Sequence, residues 1–223
     1  SIEKLKQIHI NYPYSEFAPK SILMMAYIYY ESNEYILSLE TIKKFKEFYP
    51  AHQNIDYADF LIGLCLYEQI ETVARNQENT YLALKQFKKI VKKYRNSPYA
   101  EEAELRIDLI NEQLAGKEMY IARYYFQRKK WIPAINRLKI IVKDYSETVF
   151  IEEALHRLVE VYYKVGLEEE AKAAAAILGY NYNSSEWYAQ SYKILNKNYK
   201  EPKKNDIKKN EGLIRRTIKK ILN

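Results

Sequence analysis

The sequence predicts an all-α chain made of helix pairs stacked in series, and three observations carry that reading. The first is a cassette written five times, starting at Ser15, His52, Ser97, Thr148 and Ser185. Each copy opens on a polar residue and reaches a small one six places later: Ser21, Ala58, Ala103, Ala154 and Ser191. Four copies carry an aromatic two places in (Phe17, Tyr99, Phe150, Trp187), whereas the second has Asn54. A hydroxyl or similar acceptor at the first position can cap a helix N-terminus, and the small residue lets a neighbouring helix approach. The second observation is spacing. Tyr12, Tyr49, Tyr94, Tyr145 and Tyr182 precede the five copies and lie 37, 45, 51 and 37 residues apart. A period of this size with two helices per unit marks a tetratricopeptide-like solenoid. The third is composition: 5 glycines and 6 prolines in 223 residues leave little turn material for a fold of many short strands. The expected architecture is a tetratricopeptide-like helical solenoid of about five repeats over residues 1–199, with one extended central helix.

The elements follow in order. Ile2, Leu5 and Ile8 at helical spacing predict a helix over 1–12, read as the second helix of a repeat whose first lies upstream. Leu23, Ala26, Tyr27 and Tyr30 form one stripe of a helix over about 16–32. Asn33 is placed to cap its partner at 34–49, where Leu37, Ile42, Phe45 and Phe48 face inward. The next pair is 55–70 and 80–94, separated by the polar insertion 71–78. From Tyr99 one helical pattern continues too long for a single repeat helix, which reads as one extended helix or two nearly collinear ones meeting near Gly116, ending by Arg128; Trp131 to Asp144 returns as its partner, with Pro133 in the first turn. The last pair is 150–165 and 167–178, with Gly166 as the tight connection and Gly179 placed for a left-handed cap. A closing helix is expected over 187–199.

Charge separates the body from the end of the chain. The whole sequence carries +7, but residues 200–223 hold nine Lys/Arg against three acids, which leaves the first 199 residues at +1. Nucleic-acid binding needs a clustered positive surface, so no nucleic-acid partner is expected for the body. In the basic tail, Ile207, Ile214, Ile218, Ile221 and Leu222 sketch an apolar stripe, and Arg215, Arg216, Lys219 and Lys220 fill positions between them. Such a segment can lie on an anionic membrane, dock on an acidic partner or on the last repeat, or remain a disordered solubilising tail.

No catalytic constellation appears in the sequence, and an enzyme is not expected. His9, His52 and His156 are scattered with no partner at metal-ligand spacing, and no phosphate loop or nucleophile elbow occurs, so neither metal nor cofactor is expected. Cys65, within an apolar run, reads as a core residue. The unusual residue is tyrosine, with 23 copies. Many of these serve packing. First helices line the concave face of a two-helix solenoid, which makes Tyr27, Tyr30, Tyr57 and Phe60 candidates for an aromatic binding groove.

Three stretches are more specific: His52-Gln53-Asn54-Ile55-Asp56-Tyr57, Lys117-Glu118-Met119-Tyr120-Ile121-Ala122-Arg123-Tyr124-Tyr125 and Trp131-Ile132-Pro133-Ala134-Ile135-Asn136-Arg137-Leu138. In this order, with a long helix between them, they resemble the BamD family of outer-membrane protein assembly lipoproteins over about residues 1–195. Gln53 stands where the family pattern leads one to expect proline, and the tyrosine-proline lead of Tyr12-Pro13 and Tyr49-Pro50 is lost at Tyr94-Arg95 and Tyr145-Ser146. The resemblance implies a non-catalytic scaffold on the periplasmic face of the bacterial outer membrane, held by an acylated cysteine upstream of Ser1. It implies three kinds of protein partner: the periplasmic repeat domains of BamA, other lipoproteins of the assembly machinery, and unfolded outer-membrane proteins. Arg137, with Arg123 and Trp131 of the same motifs, is carried over as the BamA-contacting set. Two other readings stand beside it: a generic periplasmic repeat adaptor such as a Tol–Pal-associated coordinator, and a nucleic-acid-binding helical-repeat protein.

Overall fold

The computed structural model describes residues 2–72 and 75–196; the basic tail, with Arg215, Arg216, Lys219 and Lys220, lies outside the described residues. Within that range there are ten helices and no strand: α1 (Ile2–Asn11), α2 (Phe17–Glu31), α3 (Tyr35–Phe48), α4 (Ile55–Glu68), α5 (Glu78–Lys93), α6 (Pro98–Gln127), α7 (Trp131–Asp144), α8 (Ile151–Lys164), α9 (Glu168–Asn181) and α10 (Glu186–Leu195). The chain divides into two compact units, with the boundary inside α6 after Ile121.

Each cassette starts one of the first helices α2, α4, α6, α8 and α10, and its turn closes the same way five times. The backbone N–H of the polar residue donates to the carbonyl of the tyrosine three places earlier: Ser15 to Tyr12, His52 to Tyr49, Ser97 to Tyr94, Thr148 to Tyr145 and Ser185 to Tyr182, at 2.9–3.2 Å. Proline after the tyrosine is therefore dispensable, since the Tyr94-Arg95 and Tyr145-Ser146 turns close like the others. Side-chain capping is less uniform than the sequence suggests. Ser185 Oγ accepts from the Tyr188 N–H, Ser97 Oγ from Tyr99 and His52 Nδ1 from Asn54. Ser15 and Thr148 instead donate back to the carbonyls of Tyr12 and Tyr145, and so brace the turn rather than cap the helix. The small residues behave as one set: Ser21, Ala58, Ala103, Ala154 and Ser191 are all exposed by 4% or less.

The connections within helix pairs also repeat. Asn33 (φ 61°), Lys129 (φ 55°) and Gly166 (φ 81°) adopt left-handed backbone. Around each, two crossed hydrogen bonds terminate the preceding helix. Asn33 donates to Tyr30 and Glu34 to Tyr29; Lys129 to Phe126 and Lys130 to Tyr125; Gly166 to Tyr163 and Leu167 to Tyr162. This is the Schellman arrangement. Asn33 thus ends α2 rather than capping α3, and its Oδ1 accepts from the Tyr35 hydroxyl. Gly179 is not a cap either. It lies inside α9, where a Cβ would meet the Tyr188 ring at 2.6 Å, so it permits close approach of α10.

The two long intervals resolve differently. The 45-residue one contains the irregular connection between α4 and α5, tied by Gln77, which is buried and donates to the carbonyls of Thr72 and Arg75. The 51-residue one is absorbed by α6, 30 residues long, which runs without interruption through Gly116. In the first unit the core is Ile22, Leu23, Ala26, Ile42, Phe45, Ala58 and Leu61. Cys65 is fully buried and its thiol contacts Ser38 Oγ at 3.4 Å, so it is a core residue. In the second unit, Ile151, Leu155 and Leu178 form a smaller cluster flanked by Val142, Tyr182 and Trp187.

Candidate partner-binding surfaces

Two pairs of successive first helices, α4 with α6 and α8 with α10, meet at the same joint. The residue eight places after the cassette start packs on the aromatic two places into the next cassette. Phe60 stacks on Tyr99 at 5.3 Å between ring centroids, and His156 lies on Trp187 at 5.1 Å. The same joint between α2 and α4 would set Leu23 against residue 54, which is asparagine. There the ring is missing. A cavity of about 220 Å³ opens instead, lined by Lys20, Leu23, Met24, Tyr27, Asn54 and Tyr57. Met24 is 55% exposed and Tyr27 41%, which leaves an apolar wall open to solvent.

The four groove residues expected from sequence fall into three situations. Tyr27 and Tyr57 line this cavity. Tyr30 lies one turn further along α2, packs on Tyr27 and Tyr35, and hydrogen-bonds Glu68 at 3.5 Å. Phe60 is only 6% exposed and is wedged between Phe87 and Tyr99, so it backs the wall rather than forming its surface. Burial pushes both the Tyr30 and Tyr57 hydroxyls up to about 12, with Glu68 and Tyr99 respectively adding to the shift. Both are neutral donors at physiological pH. The sequence reading missed Met24 and Asn54. The cassette held the clue to Asn54, as the one copy without its aromatic.

Behind the groove sits a carboxylate the sequence reading did not single out. Asp59 is completely buried and takes Lys46 at 2.5 Å, Lys89 at 3.3 Å and the Tyr94 hydroxyl at 2.7 Å, while Gln86 donates to its backbone carbonyl at 2.7 Å. Burial alone would raise its pKa, but Lys46 and Tyr94 outweigh it and hold the carboxyl below the usual range. α3, α4 and α5 are joined through this one side chain.

In the second unit the expected contact set is dispersed. Arg123 is committed to Glu153: its guanidinium makes a two-pronged pair, Nε to Oε1 at 2.9 Å and Nη2 to Oε2. Arg157 adds a bond to the same carboxylate at 2.6 Å. Burial opposes ionisation of Glu153, yet the two arginines lower its pKa overall. Arg123 therefore ties α6 to α8. Trp131 meets Phe126 edge to face at 5.5 Å, and Lys164 lies over both rings. Arg137 is half-buried on α7.

A serine, a histidine and a carboxylate also converge here. His156 Nδ1 is 2.8 Å from Ser191 Oγ, and its Nε2 is 3.7 Å from Glu160. Ser191 is fully buried and gives its proton to the Trp187 carbonyl at 2.8 Å, so this hydroxyl has no approach for a substrate. The group is a packing joint. Burial is the main cause that holds the His156 pKa below its ordinary value, assisted by Arg157 and opposed by Glu160.

Residues 1–177 match the family model described as outer membrane lipoprotein, YfiO. Over 222 residues the chain is 38% identical to the outer membrane protein assembly factor BamD of Caulobacter vibrioides, covering all of this chain and 72% of that protein. The chain belongs to the BamD family. Against the Rickettsia prowazekii BamD, identity is 38% over 197 residues, covering 88% of this chain and 78% of the relative. The Vibrio cholerae BamD is 30% identical over 191 residues, covering 81% and 79%. BamD proteins are named assembly factors of outer membrane proteins, and the all-helical repeat architecture fits that family. Among the described residues no helix is long and apolar enough to cross a membrane.

Proposed function

We propose that this chain is a non-catalytic scaffold of outer-membrane β-barrel assembly, lipid-anchored at the periplasmic face. In this reading its first unit holds unfolded barrel proteins and its second docks the periplasmic repeat domains of BamA. The observation that carries the reading is the open joint at Asn54. At the Phe60 and His156 joints the position opposite the eighth residue is filled by the chain's own aromatic; here it is empty, walled by Leu23, Met24, Tyr27 and Tyr57. An apolar cavity of about 150 Å³ already accommodates benzene, so this one suits an aromatic side chain delivered in trans. An extended barrel segment ending in phenylalanine supplies such a ring. Lys20 at the rim offers a cation to the terminal carboxylate. A photoreactive peptide of this kind should label residues 16–66 more than residues 150–196. Equal labelling of both regions would remove the groove.

For the second unit, Arg137 on α7 supplies a guanidinium to an acidic residue of BamA. Arg123 serves this surface indirectly, by fixing α6 on α8. Arg137→Glu should weaken the BamA complex by more than ~1 kcal/mol if the pair is desolvated on binding. Restoration of binding by the reverse substitution on BamA identifies the partner carboxylate, and failure of every acidic candidate to restore it rules out direct pairing.

A further inference from the structure

α5 carries cations that the fold does not use. Six Lys/Arg and no acid fall between residues 85 and 95, in a body whose net charge is only +1. Lys89 is committed to Asp59, and Lys93 lies over the Tyr94 ring at 4.7 Å. Lys85, Lys88, Lys92 and Arg95 make no ion pair or hydrogen bond among the described residues. Lys88 and Lys92 stand one turn apart on one face of α5, and Arg95 follows in the turn just past its last residue, Lys93. That face is one wall of a cleft of about 510 Å³ against α6. Val91, Ala100 and Ile107 line the cleft beside the cations, and Glu104 is the one acid among its seven lining residues.

We propose that this cleft and the cationic face of α5 form a docking surface for the headgroups of anionic phospholipids. Like charges held one helical turn apart repel one another, and an anionic surface relieves that cost at several positions at once. The cleft pairs phosphate-binding cations with an apolar lining, which matches a phosphodiester carrying a glycerol ester edge. At the other end of the helix Tyr81 and Leu82 are 53% and 43% exposed, and tyrosine is favoured at headgroup depth. Members of this family are outer membrane lipoproteins, so a lipid surface is their standing neighbour. The site is separate from the Asn54 cavity and does not depend on it.

The test is co-sedimentation of the full chain with phosphatidylglycerol-containing vesicles, in a background where Arg215, Arg216, Lys219 and Lys220 are changed to glutamine. That background removes four of the tail's nine cations, and the five that remain are common to every variant compared. Each cation near an anionic surface contributes roughly fivefold in partitioning. Lys88→Glu with Lys92→Glu and Arg95→Glu should therefore lose on the order of a hundredfold, and binding should fall with added salt. A control with the same change in net charge, Lys4→Glu with Lys6→Glu and Lys43→Glu on α1 and α3, should bind nearly as the parent does. None of these side chains is buried, so circular dichroism and melting should match the parent. Equal losses in both variants would reduce the effect to net charge and overturn the site. So would undiminished vesicle binding by the α5 variant, or no binding by the parent. Loss of poly-glutamate binding alone would assign the face to an acidic protein instead.

Discussion

The joint between first helices is built at the same two positions in both units, but from opposite chemistry. In the first unit, Tyr57 and Phe60 of α4 meet Tyr99, ring against ring. In the second, the equivalent residues of α8 are Glu153 and His156. Glu153 is neutralised by Arg123 and Arg157, and His156 is bonded to Ser191 under Trp187. Ring stacking tolerates a missing partner, because the gap is apolar and leaves no charge stranded. A buried carboxylate tolerates no such omission, since losing one partner strands the other. The unit with the aromatic joints is accordingly the one with an empty socket. Its own buried carboxylate, Asp59, stands behind the groove, where it locks α3, α4 and α5 without facing the opening.

The sharpest way to break this comparison is to remove each hub. Asp59→Ala should destabilise the first unit by about 3 kcal/mol, because it removes the one carboxylate on which Lys46, Lys89 and Tyr94 converge. Glu153→Ala should cost less, about 1–2 kcal/mol, since the Glu153 side chain is 10% exposed, against 0% for Asp59. Urea unfolding with hydrogen exchange resolved by region reads both; equal losses would deny that Asp59 is the more dependent hub. A smaller effect separates the two close-approach glycines. A Cβ at Gly63 would meet the fully buried Phe87 ring at 2.6 Å, and Gly63→Ala should cost about 1–3 kcal/mol. At Gly179 the obstacle is Tyr188, a half-buried ring that can swing aside. There the helix-propensity gain of alanine offsets the contact, leaving under ~1 kcal/mol.

The smallest expected difference is in pH response. Asp59 and Glu153 have depressed pKa values, so their contribution is complete above the usual carboxylate range and is lost only as pH falls through the depressed values. His156 is also depressed, but from a higher starting point. Its unfolded form gains a proton below about pH 6.5, whereas the folded site resists it, so stability falls from there downward. Glu160, Glu153 and Arg157 face the ring and set how far. Between about pH 7 and 5 the melting temperature of the wild type should fall more than that of His156→Gln. Parallel curves would remove His156 as the cause.

Much of the fold was legible because it is repetitive. The five cassettes gave the helix starts, and the five small residues proved to be the buried contact points. What stayed hidden was non-local or depended on backbone sign. Nothing in the sequence around Asn33 distinguishes a left-handed helix end from an N-cap. Asp59 reads as an ordinary helix-face acid until Lys46, Lys89 and Tyr94 converge on it from other helices. The candidate groove was half legible: tyrosine at helical spacing pointed to Tyr27 and Tyr57. Phe60 belonged to the wall behind, since periodicity does not say which side of a stripe a neighbour covers. Arg123 carried the family pattern, yet its pairing with Glu153 spans 30 residues and had no local signature.

The central claim is that the first unit binds its substrate through a joint left open by Asn54. Asn54→Tyr restores the cassette aromatic, and it forfeits no cap, because the Asn54 side chain makes no capping hydrogen bond. Fluorescence anisotropy of a labelled barrel peptide ending in phenylalanine, measured on the wild type and on Asn54→Tyr, tests this directly. The account predicts at least roughly tenfold weaker binding by the variant, the scale of one buried aromatic contact, with a melting temperature equal to or above the wild type. Unchanged peptide affinity in a folded Asn54→Tyr protein would contradict it.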